Sequence, residues 1–231
     1  MVIADCELTV QQAWSMGAAV LGYEPENCRR ISSHLDILVQ GFQEIDRCFL
    51  ERMYQRFFRI PWTILETDRC LVREMTMEDL AALYELYRPR EITRYLEGLD
   101  SDRQKEAARL QAYIQYMYRF YGYGMWAVVE KSTGELIGRA GFEHRTVTGE
   151  LVPELGYLIA AGKQRQSYGT EVCRAILDYG WRELGFTTVY CRIHRENLPS
   201  VRLAEKLGFT CEGNVKEDGK ELLRYKMLKR Y

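Results

Sequence analysis

The stretch that most restricts how this chain can fold runs from Glu154 to Gly213, and it reads strand, loop, helix, strand, turn, helix, strand. Val152–Ala160 (VPELGYLIA) is β-rich and apolar enough for an interior strand. The polar loop Gly162–Gly169 then feeds an amphipathic run, Thr170–Leu184. In that run Val172, Ala175, Ile176, Tyr179 and Leu184 recur at helical spacing, and Gly185 stands where a helix-ending glycine belongs. Thr187–Ile193 (TTVYCRI) reads as the next strand. A loop that leaves a strand and opens a helix presents unbonded N–H groups at the positive end of the helix dipole, which suits a phosphate.

The residues in that frame carry a resemblance. The loop Gln164-Arg165-Gln166-Ser167-Tyr168-Gly169, followed by Thr170, resembles the Gln/Arg-x-x-Gly-x-Gly/Ala loop of the GNAT superfamily of N-acetyltransferases. Asn197-x-x-Ser200-x-x-Leu203-x-x-Lys206-x-Gly208-Phe209 resembles the family's second motif, in the expected order and distance. One glycine loop alone is weak evidence; two motifs in register are specific. The likeness covers roughly residues 64–231 and is closest to the ribosomal-protein alanine N-acetyltransferase-like branch. Ser167 stands at the family's central glycine, where backbone approaches phosphate or takes a positive φ. Ala204 stands where many members have a tyrosine.

The resemblance implies an α/β (α+β) GNAT fold: a mixed, mostly antiparallel sheet with helices on both faces. It implies acetyl-CoA as acetyl donor and direct attack by a primary amine, a protein N-terminus or a small molecule. Pantetheine is expected against Leu158, Ile159 and Ala160, with Asn197 closing the other side and an N–H near Leu158 as oxyanion donor. The pyrophosphate is expected on Gln164, Arg165, Gln166, Ser167, Tyr168, Gly169 and Thr170. Glu154 is the candidate base, with Glu143 and His144 in reserve; Ser200, Tyr157 or Tyr190 is the candidate proton donor to sulfur. An ion-paired, strand-ordering role for Glu154 is the alternative, and a CoA-binding or partner-binding module without turnover is the alternative for the domain.

Composition narrows the rest. With 231 residues, 47% hydrophobic and 28% charged, the chain can bury a core, and its formal net charge of −1 argues against a broad nucleic-acid-binding face. Seven scattered cysteines without a Cys-x-x-Cys pair suit reduced thiols, and three unclustered histidines do not suggest a metal. No signal segment and no long apolar run is evident, so neither secretion nor a membrane span is expected, and the expected location is cytoplasmic.

Residues 1–60 read as a separate β-α-β-α-β-α unit with a small three-stranded parallel sheet: strands at Met1–Cys6, Ala18–Tyr23 and Ile37–Phe42, helices at Leu8–Met16 and Ile45–Arg59, and a loop or short helix at Pro25–Ser33. It loosely resembles the tail of a HAD-type, Rossmann-like domain but lacks the Asp-x-Asp nucleophile. A non-catalytic unit that leans on the second domain or on another subunit, as in a homodimer, is expected. In the second domain, Cys70–Glu74 reads as a strand, Met77–Tyr87 as a helix with Thr76 as N-cap, and Asp102–Phe120 as another helix. The aromatics from Tyr113 to Trp126 are expected to pack over the sheet or shape the acceptor pocket. Ser132-Thr-Gly134 joins a hairpin, and a second hairpin turns at Glu217-Asp-Gly219. The acidic loop Glu97–Asp102 is either solvated or attractive to a cationic acceptor.

Overall fold

The computed structural model describes residues 1–229 other than 27, 34, 36, 44, 148 and 218, and of residue 119 only the backbone. The chain divides into two compact units, Met1–Trp62 and Thr63–Tyr231. In the first, β1 (Val2–Ala4), α1 (Glu7–Ser15), β2 (Val20–Tyr23), β3 (Leu38–Val39) and α2 (Arg47–Phe57) follow in order. Its three strands pair in parallel as β1-β2-β3, the sheet the alternating pattern predicts. The third strand is only two residues long, shorter than its apolar run suggests. No helix forms between Pro25 and Ser33 among the described residues, because two carboxylates claim the backbone there. Glu24 accepts from the N–H groups of Arg30 (2.6 Å) and Ile31 (2.7 Å), and Glu7 accepts from those of Ser32 and Ser33. Asp46 caps α2, yet none of that helix's apolar stripe is fully buried and Tyr54 is exposed.

The second unit is built on an eight-stranded sheet. Its elements are β4 (Thr63–Glu66), β5 (Cys70–Arg73), a 3-10 turn (Met77–Asp79), α3 (Leu80–Tyr87), α4 (Arg90–Thr93), α5 (Arg103–Tyr116) and a π-helical turn (Met117–Tyr121). There follow β6 (Met125–Glu130), β7 (Leu136–Val147), β8 (Glu150–Ile159), α6 (Tyr168–Arg182), β9 (Thr188–His194), α7 (Leu198–Leu207), β10 (Thr210–Glu217) and β11 (Lys220–Leu228). The order across the sheet is β10-β11-β9-β8-β7-β6-β5-β4, antiparallel throughout except for β8 against β9. β4 is an edge strand that precedes Cys70–Glu74, the first strand the sequence suggests for this unit.

Each face has its own core. Met75, Leu83, Leu86, Ile92 and Leu110, from α3–α5 and their approaches, close on Ala127, Val129 and Leu158 of the sheet. On the other face α6 buries Val172, Cys173, Ile176 and Leu177, and it lies so close that a Cβ on Gly180 would meet the Phe142 ring at 2.7 Å. Thr76 begins α3's approach by donating its N–H to Asp79 (2.7 Å), which also takes Arg73 in a two-point pair. The aromatic stretch divides. Tyr113, Tyr118 and Trp126 pack inward, with the Tyr118 hydroxyl donating to the Met125 carbonyl (2.6 Å), whereas Tyr116 and Phe120 face outward. The predicted helix to Phe120 therefore changes to a wider π turn at Met117, the turn that holds Tyr118 in the core.

Candidate active site

The site follows from how little β8 and β9 share. Their register contains one pair, Glu154 with Tyr190, and past it the two strands part. Hydrogen-bond phase then decides which backbone groups face the gap. The N–H of Ala160 donates to Ile137 of β7 (2.8 Å), so in the unbroken β7–β8 register Leu158, Gly156 and Glu154 turn their N–H and C=O toward β7. Those of Leu155, Tyr157 and Ile159 turn toward β9. Leu158, near which the oxyanion donor is expected, spends its own N–H in the ladder and its side chain in the α3–α5 core, and its neighbours Tyr157 and Ile159 address the opening. The Gln164 amide donates to the Ile159 carbonyl at 3.0 Å, tying the loop to the strand end.

That loop ends at α6, whose first residue is Tyr168. Ser167 sits in the left-handed region (φ 67°, ψ 5°), and so does Arg165 (φ 58°). The positive φ explains physically why a glycine suits this position. No side chain caps α6, and the first intrahelical bond runs from Glu171 N to Ser167 O. The N–H groups of Tyr168, Gly169 and Thr170 are therefore the donors of the helix start. A Cβ on Gly169 would meet Leu203 at 3.2 Å, so α6 and α7 also close together here. An open cavity of about 550 Å³ beside this end is lined by Ser167, Thr170, Arg174 and Lys206 among others.

Two carboxylates hold the loop from beneath, and sequence reading missed both. Buried Glu130, at the end of β6, accepts from Lys163 Nζ (2.7 Å), Thr133 Oγ1 (2.9 Å) and the Tyr168 hydroxyl. Those donors, Lys163 first, hold its carboxyl at about 2. Glu171 accepts from Thr67 Oγ1 (2.6 Å) and from Arg69 through Nε (2.8 Å), while Arg69 Nη1 donates to the Gln166 carbonyl (3.1 Å) and its guanidinium lies 3.9 Å over the Tyr168 ring. Thr133 aside, three residues from Glu130, nothing in the sequence flags these partners, which lie 33 to 104 positions apart.

The remaining candidates divide by face. Tyr157 lies on the α6–α7 side, where its hydroxyl donates to the Ser200 carbonyl (3.0 Å) and burial pushes its pKa far up. Asn197 Oδ1 accepts from the N–H of Ser200 (3.4 Å), so it caps α7. Glu154 is on the opposite face, nearly enclosed, and takes Arg192 through Nε (2.6 Å) and Nη2 (3.3 Å), with Arg145 at 3.7 Å; Arg192 also pairs with Glu217. Burial nevertheless raises the Glu154 carboxyl above its ordinary value. Its cross-strand neighbour is Glu143, more exposed and paired with Arg145 at 3.1 Å. His144 faces away from that pair, its ring tilted against Tyr121 and stacked on Tyr123, with its Nε2 2.6 Å from the Tyr123 hydroxyl. His194 packs on Tyr95, and its Nδ1 accepts from the N–H of Glu196 (3.3 Å). His34 lies outside the described residues. Of the Glu97–Asp102 acids, Asp102 caps α5 and Asp100 lies 3.7 Å from Arg109. Among the described residues no group of three or more acidic, histidine or cysteine side chains could hold a metal, and no helix is long and apolar enough to cross a membrane.

An opened parallel pair leading to an uncapped helix start fits a CoA thioester, whose extended arm can take strand hydrogen bonds and whose pyrophosphate can take the helix amides. Comparison with known proteins agrees. Residues 69–210 match the family model described as an acetyltransferase (GNAT) domain. Two relatives from Bacillus subtilis (strain 168) are each 31% identical. One is an uncharacterized protein, YkkB, over 164 residues (71% of this chain, 94% of that one). The other is an uncharacterized N-acetyltransferase, YoaA, over 156 residues (67% and 86%). A solved structure, a putative GNAT-family acetyltransferase from Bordetella pertussis, is similar at 30% identity and a TM-score of 0.61, covering 70% of this chain and 97% of its own. With the parted strands, the loop and these relatives in agreement, the chain belongs to the GNAT family of acetyl-CoA-dependent acetyltransferases.

Proposed function

We propose that the Thr63–Tyr231 unit transfers the acetyl group of acetyl-CoA to a primary amine, a protein N-terminus or a small molecule. The observation that carries this is the single β8–β9 pair at Glu154, with the free strand edge and the α6 start beyond it. Acetyl-CoA supplies an activated acyl group as its thioester. The edge groups of Tyr157 and Ile159 hold the pantetheine arm beside Leu158 and Ala160, and the N–H groups of Tyr168, Gly169 and Thr170, with Gln164, Arg165, Gln166 and Ser167 around them, hold the pyrophosphate. Fixing donor and acceptor in this way lowers a bimolecular barrier by up to about 7–11 kcal/mol.

An ammonium has no lone pair, so one proton must first leave it. Glu154 and Glu143, adjacent on the α3–α5 face, are the carboxylates that take it, directly or through water. As the C–N bond forms and the C–S bond breaks, nitrogen passes its second proton to solvent water, water restores the proton that the donor to sulfur gives up, and CoA departs as the thiol. The Ser200 hydroxyl is the donor we assign to sulfur, since the Tyr157 proton is committed to the Ser200 carbonyl. Asn197 positions Ser200 by capping α7. The Met1–Trp62 unit takes no part in this chemistry and serves packing or a partner.

Calorimetric titration with acetyl-CoA, followed by free-thiol release over a panel of primary amines, tests the reading. Binding with amine-dependent thiol release, lowered in Glu154→Gln and Glu143→Gln, is expected. Tight binding with no release on any amine overturns it and leaves a binding module.

A further inference from the structure

Among the described residues, no counter-ion meets the shielded guanidinium of Arg139. Arg139 stands on β7 in register with Ala127 of β6 and Leu158 of β8, and so on the face covered by α3–α5. Its Nη1 donates to the Tyr87 hydroxyl at 3.1 Å, and its Nε is buried without a hydrogen-bond partner. No described carboxylate pairs with it. Arg73 and Arg192, also shielded, differ: each binds a carboxylate, Asp79 at 2.7 Å and Glu154 at 2.6 Å. Burying a guanidinium with unused donors is unfavourable unless an anion meets it.

Its place in the sheet says which anion. Arg139 is the diagonal cross-strand neighbour of Gly156, roughly 7–8 Å away by strand geometry. Gly156 is two residues beyond the pair at which β8 and β9 part, and it projects no side chain; Met125 passes close enough that a Cβ there would lie 2.9 Å from its sulfur. On the same face, Glu143 and Glu154 lie to the other side of Gly156. A guanidinium and a carboxylate pair therefore flank the point beside which an acceptor would meet the thioester. A guanidinium binds a carboxylate through two parallel N–H donors, which fixes orientation as well as charge.

We propose that Arg139 anchors the carboxylate of the acceptor, so that the substrate class is an aminocarboxylic acid whose ammonium faces Glu143 and Glu154. The proposal rests on the acetyl-transfer reading above. Its test compares thiol release for matched trios: an amino acid, its carboxamide, and the amine lacking the carboxyl carbon, with α-, β- and γ-amino acids in the panel. The wild type is expected to favour at least one acid over its amide by about tenfold or more in kcat/KM, mainly through KM. In Arg139→Met that acid-to-amide ratio falls to about one, and Arg139→Lys retains part of it. Equal use of acid and amide by the wild type overturns the anchor, whatever the variants do. A ratio that survives Arg139→Met in protein with a wild-type melting profile overturns it as well. Absence of release on every amine defeats the acetyl-transfer reading itself and is thereby distinguishable.

Discussion

Gly141 offers a quantitative test of how tightly the strands beside the site are packed. An added Cβ would lie 2.0 Å from the carbonyl oxygen of Gly124 and 2.9 Å from both the Gly124 carbonyl carbon and the Met125 Cα. The first contact is about 1 Å inside the 3.0 Å that real Cβ atoms keep, and every atom met is backbone, so no rotamer change relieves it. Gly141→Ala must push the start of β6 away from β7. Overpacking of this kind costs about 1–3 kcal/mol. The shift also stretches the bond from Phe142 N to Gly124 O, now 3.1 Å, worth about 1 kcal/mol. A total of about 3 kcal/mol corresponds to a fall in Tm of roughly 6–12 °C for a unit of this size. The control is Gly162→Ala, where an added Cβ meets nothing within 4 Å and the backbone lies outside the glycine region; there a gain of about 0.4–1 kcal/mol is expected. Thermal and urea unfolding give the magnitudes, and amide hydrogen exchange gives the location. A Gly141→Ala protein within about 0.5 kcal/mol of wild type, with its Phe142 amide still protected, would refute the packing account.

Three further outcomes follow from the loop and the site. Ser167→Gly is expected to stabilise the fold by about 0.5–1 kcal/mol by relieving a left-handed serine, while Ser167→Val destabilises it by about 1 kcal/mol or more and weakens acetyl-CoA binding. Melting curves with calorimetry decide this, and a glycine variant less stable than the valine variant sinks the strain argument. Glu130 is held near 2 against an ordinary 4.5, chiefly by Lys163 and then by Tyr168 and Thr133. Because its folded value is depressed, its contribution is present above about pH 4.5 and lost as pH falls toward 2. Glu130→Gln should flatten that acid limb of the second unit's melting profile; an unchanged limb assigns it to other groups. Tyr168→Phe removes one of the three side-chain donors to Glu130 and should loosen the loop, seen as faster exchange at residues 164–170 and weaker acetyl-CoA binding.

Local patterning was enough to set the frame. The β-rich apolar runs Val152–Ala160 and Thr187–Ile193 and the helical spacing of Val172, Ile176 and Tyr179 fix β8, β9 and α6 as elements, because burying an interior strand or one helix stripe admits few other arrangements. Motif spacing located the loop that opens α6 and the turn at Asn197, since both depend on nearby backbone geometry, whereas the capping of α7 by Asn197 is read from the structure. Which groups face the opening is a matter of long-range pairing: hydrogen-bond phase, set by the register with β7, gives Tyr157 and Ile159 the free edge and takes Leu158 from it. Partners are assigned in the same way. Glu154 with Arg192, Glu130 with Lys163 and Tyr168, Glu171 with Arg69, and Arg139 with no described carboxylate are relations across 33 to 102 positions, or their absence, which strand order alone brings about. A side chain's chemistry is written at its own position, but its protonation, its reach and what it can bind are set by neighbours that chain order does not name.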